Sequence, residues 1–272
     1  IGISKNFLQV VDMADGEFVW LIGDDDLLLP NTIIDLFKLM EKHKQVDFFY
    51  INSFHLTTEY VFSFPQPFNT SYLPKNMKPF SSYRINGELA FFDLISPKIS
   101  FDFLGGMFLA VFRRKNWMEN KNILNLNAIN DPRTFSHFDN TFPHLKIFSK
   151  AFANSKAYFS AEPLSVCLTG AREWAPMQPL VMSVRLVEAL GEYKINGLPY
   201  INYLRCKNYA LNNFIPDLGS MFYHKNTGIE YISPIRLVLK NCFYPNFYLS
   251  VIYFIIRKTK IIIKKIIIKK IT

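Results

Sequence analysis

The feature that most restricts the fold is a short apolar run, Phe18-Val19-Trp20-Leu21-Ile22, that breaks at Gly23 and opens into Asp24-Asp25-Asp26. A continuous run of this kind is the pattern of a strand covered on both faces, as in a parallel sheet. Before it, Ser4 is placed to cap a helix carrying Phe7, Val10, Val11 and Ala14 at helical spacing, with Gly16 to end it. After it, Leu27-Leu28-Leu29-Pro30 leads to a second helix over Thr32 to Lys42 and a strand over Asp47 to Asn52. The order helix, strand, acidic turn, helix, strand is α/β, and ligands of such sheets bind beyond the carboxyl ends of strands.

Three adjacent carboxylates at that place repel one another, and burial raises the cost. A hard divalent cation, Mg²⁺ or Mn²⁺, removes it, taking one or two protein carboxylates and filling its shell with water and substrate phosphates. A solvated acidic turn leading into the next helix accounts for the same residues through the helix dipole. Spacing alone leaves both open.

Composition excludes two classes. With 50% of 272 residues apolar and 19% charged, the chain is neither a disordered tail protein nor a disulfide-stapled mini-domain. The 27 Phe, 14 Tyr and 3 Trp supply much flat apolar surface to bury or present. The net charge of +9 is not spread over the body, because Arg257, Lys258, Lys260, Lys264, Lys265, Lys269 and Lys270 carry seven of those charges with no acid between them. Cys167, Cys206 and Cys242 match no metal spacing and fit small core residues in a reducing compartment. Ile1 to Trp20 has no basic start followed by an apolar run, so no signal peptide is expected there.

The run from Asp15 to Pro30 resembles the A-x-G-E-[YF]-[VI]-x-x-[LI]-x-D-D-D-x-x-x-P segment of the family 2 glycosyltransferases, most of all the abequosyltransferase-type enzymes of O-antigen assembly. Gly2 and Asn6 are similar to the N-x-G-x-x-x-N helix that precedes the acidic strand end in that family. The resemblance implies a GT-A fold and an inverting, metal-dependent transfer from a nucleotide-diphospho-sugar. Aligned on Pro30, the first Asp of the family's D-x-D-D falls on Gly23. The metal ligand then maps to Asp25, with Asp24 and Asp26 touching donor or metal; Asp24-x-Asp26 is the other register. The strands that hold base and ribose in such a fold are not in this sequence, so a GT-A domain lacking its N-terminal part is expected over residues 1–178.

Residues 53–83 read as loops and short strands, Gly87 to Ser96 as a helix ending before Pro97, and Met107 to Phe112 as a strand. Gly105-Gly106 permits an unusual turn. Arg113-Arg114-Lys115 and Trp117 begin the next element, with the two arginines an ordinary basic strand end. In Ser136-His137-Phe138-Asp139-Asn140-Thr141-Phe142-Pro143-His144, the resemblance maps the general base to Asp139, at the head of a helix running to Lys150. An N-cap role explains Asp139 equally, and His137 and His144 are alternative bases; His137 also suits orienting the acid or meeting a phosphate. Glu173-Trp174 resembles a downstream pair of the same family that suits a sugar acceptor, a flat ring beside an oxygen.

From Pro179 onward apolar residues recur at helical intervals, over Val181 to Tyr193 and Pro199 to Asn212, which reads as a helical subdomain over 179–240. Residues 241–272 form an apolar and basic tail whose unbroken apolar part, Asn246 to Ile256, is too short to span a bilayer. Ile stems beside Lys heads suit an anionic membrane surface, reached through 257–272. Nucleic acid is not expected, since no stacking aromatic follows Phe254. These features together predict a transferase at the cytoplasmic face of the cell membrane, acting on a lipid-linked saccharide. A membrane-bound remnant without catalysis, or another metal-dependent enzyme of phosphate esters, are the alternatives.

Overall fold

The computed structural model describes residues 2–57, 73–169 and 174–271, with side chains described as far as residue 260. Within them lies a mixed α/β fold. Seven strands, β1 Phe18–Trp20, β2 Leu27–Leu28, β3 Phe48–Thr57, β4 Lys78–Pro79, β5 Gly87–Ala90, β6 Ala110–Arg113 and β7 Lys156–Thr169, form one sheet. Its main path runs β1-β6-β3-β7-β2, with β4 on β3 and β5 on β7. Only β3 and β7 pair in parallel; the remaining pairs are antiparallel.

The opening helix, Ile3–Met13, and the helix Thr32–Lys42 form where apolar spacing predicts them. Two local expectations are corrected. The acidic-end strand β1 is not a covered parallel strand: it stands at the end of the sheet path and pairs antiparallel with β6 alone, so only Val19 is buried along it. Residues Gly87–Ala90 form β5 against β7, followed by a 3₁₀ turn Phe91–Leu94, where a helix is expected. Alternating exposure along β5 shows the period of a strand, and pairing with β7 overrides a weak helical spacing.

The aromatic content goes inside. Phe48 on β3 meets Phe91, Phe148 and Phe152 edge-on at centroid distances of 5.0, 5.0 and 5.2 Å, and Phe112 stacks on Trp117 at 5.1 Å. Each such pair adds about 0.5–1.5 kcal/mol beyond area burial. The same core continues into the later helices: Leu180, Val184, Leu190 and Tyr193 pack with the sheet residues. A short turn, Gln178–Leu180, and a π-helical stretch, Val181–Arg185, lead into the helix Leu186–Ile195; helices Tyr200–Ala210, Phe214–Tyr223 and Pro234–Asn241 follow.

Pro245 starts the last helix, Pro245–Ile271, as proline does readily in a first turn. Its root is fixed by Phe247 against Phe214 at 5.5 Å, by the Ile215 N–H donating to Ser250 Oγ at 3.3 Å, and by the Asn246 N–H donating to Asn208 Oδ1 at 2.9 Å. From Val251 to Lys260 its side chains are exposed. Among the described residues no helix is long and apolar enough to cross a membrane.

Candidate functional site

The acidic turn follows β1, whose Trp20 donates from Nε1 to the Phe108 carbonyl at 2.7 Å. The turn divides its three carboxylates. Asp26 accepts from the Gly23 N–H at 3.3 Å on Oδ2 and from the Leu168 N–H of β7 at 3.2 Å on Oδ1, tying the turn across to β7. Asp24 and Asp25 are exposed and accept no hydrogen bond among the described residues. Gly23 is needed here: a Cβ on it would lie 2.7 Å from Asp25 Oδ1 and 3.2 Å from Asp26 Oδ2. Two carboxylates therefore converge over the bare glycine Cα. Burial, and then the Asp25 charge, raise the Asp26 carboxyl above its ordinary value.

That cradle fits a hard cation. Mg²⁺ or Mn²⁺ needs only one or two protein carboxylates, and Asp24 and Asp25 have their oxygens free. Among the described residues no three His, Cys, Asp or Glu side chains group to hold a metal, so most of its shell would come from water and ligand.

An aromatic shelf adjoins the turn. His55 of β3 stands opposite Cys167 of β7, one residue from the backbone N–H that holds Asp26. Its ring stacks on Phe80 at 3.4 Å, and Phe80 lies nearly parallel to Phe101 at 6.1 Å, 9° between planes. Burial lowers the His55 pKa, favouring a neutral ring.

Beyond the shelf, residues 100–108 form a strained loop. The left-handed conformations expected near the glycine pair fall instead on Phe103 and Leu104, at φ 49° and 73°, both fully buried. Such residues cost on the order of 1–3 kcal/mol each and persist only where the surroundings hold them. Here Asp102 does so, accepting from Ser100 Oγ and from the Gly106 N–H at 2.8 Å, while Tyr193 OH donates to the Phe103 carbonyl at 3.0 Å. Gly106 leaves room because a Cβ would meet the Phe108 ring at 2.9 Å and Asp102 Oδ2 at 3.1 Å. Burial raises the Asp102 carboxyl pKa. The only sequence signal of Asp102 is an acid flanked by a hydroxyl and a glycine pair.

The second predicted cluster sits in the irregular segment 131–142. The helix there is Pro143–Ala151, with Phe142 as N-cap, so Asp139 precedes it rather than heading it. Proline has no backbone N–H to donate and is best placed at the first helical position, which sets the start. Asp139 is buried and accepts from Lys146 Nζ on both oxygens, at 2.9 and 2.8 Å, and from the Asn125 N–H at 2.6 Å. His137 is half exposed, its Nε2 3.1 Å from Asp131 Oδ2. Hydrogen bonds from Arg133 hold the Asp131 carboxyl well below the usual range, so it stays charged behind the imidazole. His144 is buried with Nε2 3.2 Å from the Gly105 carbonyl, and burial pushes it down to about 4.

Trp174 packs edge-on against Phe135 at 5.4 Å, and Arg185 donates to the Phe135 and Ser136 carbonyls at 3.1 and 2.5 Å. The structure thus brings Trp174 and His137 to the same segment; Glu173 lies outside the described residues. Arg113 and Arg114 are structural ties rather than a solvated strand end: Arg113 pairs with Glu17 and, at 2.6 Å, with Asp47, and Arg114 donates to the Val11 and Asp12 carbonyls at the end of the opening helix.

Compared with known families and curated proteins, the sequence matches no family model and no curated protein. Fold and site define an α/β protein with a mixed sheet and a paired-carboxylate turn beyond a strand end.

Proposed function

We propose that the chain is a sugar transferase of the GT-A type, inverting and metal-dependent, moving a sugar from a nucleotide-diphospho-sugar to a saccharide acceptor carried on a membrane lipid. The observation that carries this reading is the pairing of Asp25 and Asp26 over Gly23, with Asp24 and Asp25 left free. A cation held by Asp24 and Asp25 would neutralise the diphosphate as it leaves the sugar. Asp26 fixes the turn against β7.

Proton removal from the acceptor hydroxyl is assigned to His137. Asp139, the base implied by resemblance, has both oxygens on Lys146 and is buried, whereas His137 is reachable and backed by the charged Asp131. Trp174 and the His55–Phe80–Phe101 shelf offer flat apolar faces for a sugar ring. The basic C-terminal helix would hold the enzyme on the anionic inner face of the cell membrane, where a lipid-linked acceptor is reached.

The test is calorimetric titration of Mn²⁺ with a nucleoside diphosphate into the chain and into Asp25→Asn. Metal-dependent binding that disappears in the variant supports the donor site at this turn. Binding unchanged by Asp25→Asn overturns the assignment, and so does the absence of binding by a folded chain.

A further inference from the structure

A cavity of about 790 Å³ lies between the 175–183 stretch, the helices Tyr200–Ala210 and Phe214–Tyr223, and Arg257 of the C-terminal helix. Of its lining residues only Phe101 also belongs to the aromatic shelf described above. Its polar floor is a chain of contacts: Ser183 Oγ donates to Asp217 Oδ2 at 2.5 Å, Asn213 Nδ2 donates to Asp217 Oδ1, and Arg257 donates to Asn213 Oδ1. Ser183 reaches in from the π-helical stretch, a distortion frequent at functional sites. Phe101, Met182, Leu186 and Tyr209 supply apolar wall, and Lys225 and Arg257 bring positive charge. Asp217 is the one acid in the lining, held by Ser183 and Asn213, against the two cations Lys225 and Arg257. The lining therefore favours an anion that also carries hydroxyls and hydrocarbon.

Phosphodiesters with hydroxylated head groups have that chemistry, and they come either free or on a lipid. Arg257 decides between them. It lines the cavity and is also the first of the basic residues on the exposed helix, directly after the exposed apolar stretch Val251 to Ile256. A ligand held at Arg257 is at the level where that helix would meet a bilayer.

We propose that this cavity binds the head group of an anionic glycerophospholipid, with the phosphodiester at Lys225 and Arg257 and the head-group hydroxyls on the Ser183–Asp217–Asn213 floor. The inference rests on the proposed membrane association, and adds to it a specific lipid site outside the tail.

The experiment uses monomeric dihexanoyl phosphatidylglycerol, below its micelle concentration, titrated calorimetrically into the full chain. Dihexanoyl phosphatidylcholine and the deacylated glycerophosphoglycerol serve as comparisons. Phosphatidylglycerol should bind about tenfold more tightly than either. Lys225→Gln should weaken it about fivefold, the loss of one lipid-facing charge. Met182→Trp, which fills the cavity without removing charge, should weaken it about tenfold. Equal affinity for phosphatidylcholine, or no change in either variant, overturns the site. Equal binding of the deacylated head group overturns the lipid assignment. Sedimentation of Met182→Trp with anionic vesicles separates the two readings: if it still sediments while monomer binding was never present, the membrane reading stands and the cavity site falls.

Discussion

Lys146 Nζ lies 2.9 and 2.8 Å from the two oxygens of Asp139, closing a half-buried ion pair between the 131–142 segment and the helix that follows it. Removing one member of such a pair strands the other charge, and the loss is larger than the pair is worth. Lys146→Met should destabilise the chain by about 3 kcal/mol in denaturant unfolding. The double variant Lys146→Met/Asp139→Asn should recover part of that. Additive losses would mean that the pair is not coupled.

The same contact separates the two candidate bases. In a sugar-transfer assay His137→Gln should lower kcat by about 10²–10⁴-fold, the range of general-base loss, with little change in thermal stability. Asp139→Asn should act mainly on stability. The opposite pattern would return the base to Asp139.

Gly23→Ala places a Cβ where Asp25 Oδ1 and Asp26 Oδ2 now converge, 2.7 and 3.2 Å away. The turn must open, and Mn²⁺ affinity should fall about tenfold or more, read by paramagnetic resonance of free Mn²⁺. Unaltered affinity would show that the cradle over Gly23 does not set the metal site.

Two buried groups give opposite pH dependences. His144 falls from 6.5 to about 4 in the folded chain, so its contribution is present above the unfolded value and is lost as pH drops through 4. Asp217 rises from 3.8 to about 6, so its contribution is present below the unfolded value and is lost as pH rises through 6. At 1.36 kcal/mol per unit each is worth roughly 3 kcal/mol. The two slopes nearly cancel in the native chain, so urea unfolding between pH 4 and 7 should show stability falling with pH in His144→Gln and rising with pH in Asp217→Asn. Three parallel curves would contradict both assignments.

Vesicle sedimentation checks the tail. Replacing Lys264, Lys265, Lys269 and Lys270 by Gln should weaken binding to anionic vesicles by about 1 kcal/mol per residue, and added salt should weaken the native chain similarly. Binding that ignores both charge and salt would mean that the basic tail is not the contact.

Much of the local structure was legible. The helix over Thr32–Lys42 needs only its own apolar spacing, and the acidic turn beyond Phe18–Trp20 announces itself by a strand pattern broken at Gly23. The strand at Gly87–Ala90 is not legible in the sequence, because Leu89, Phe91, Phe92 and Ile95 also satisfy a helical spacing, and only the partner β7 decides between periods. Asp139 was read as a helix head because acids near a helix start are common, and nothing local announces the Lys146 that claims it.

By itself the sequence determined which segments could be helix or strand, that three acids stand together at a strand end, and that the positive charge lies in the tail. These follow from periodicity and adjacency, which act within a few residues. Tertiary structure alone decided that Asp26 ties to Leu168, that Asp139 is closed by Lys146 while His137 stays open, and that Asp217 and Arg257 share a cavity. The physical reason is that burial and pairing depend on residues remote in the chain, such as Asp26 and Leu168, and those meet only when the sheet and the later helices close on a common core.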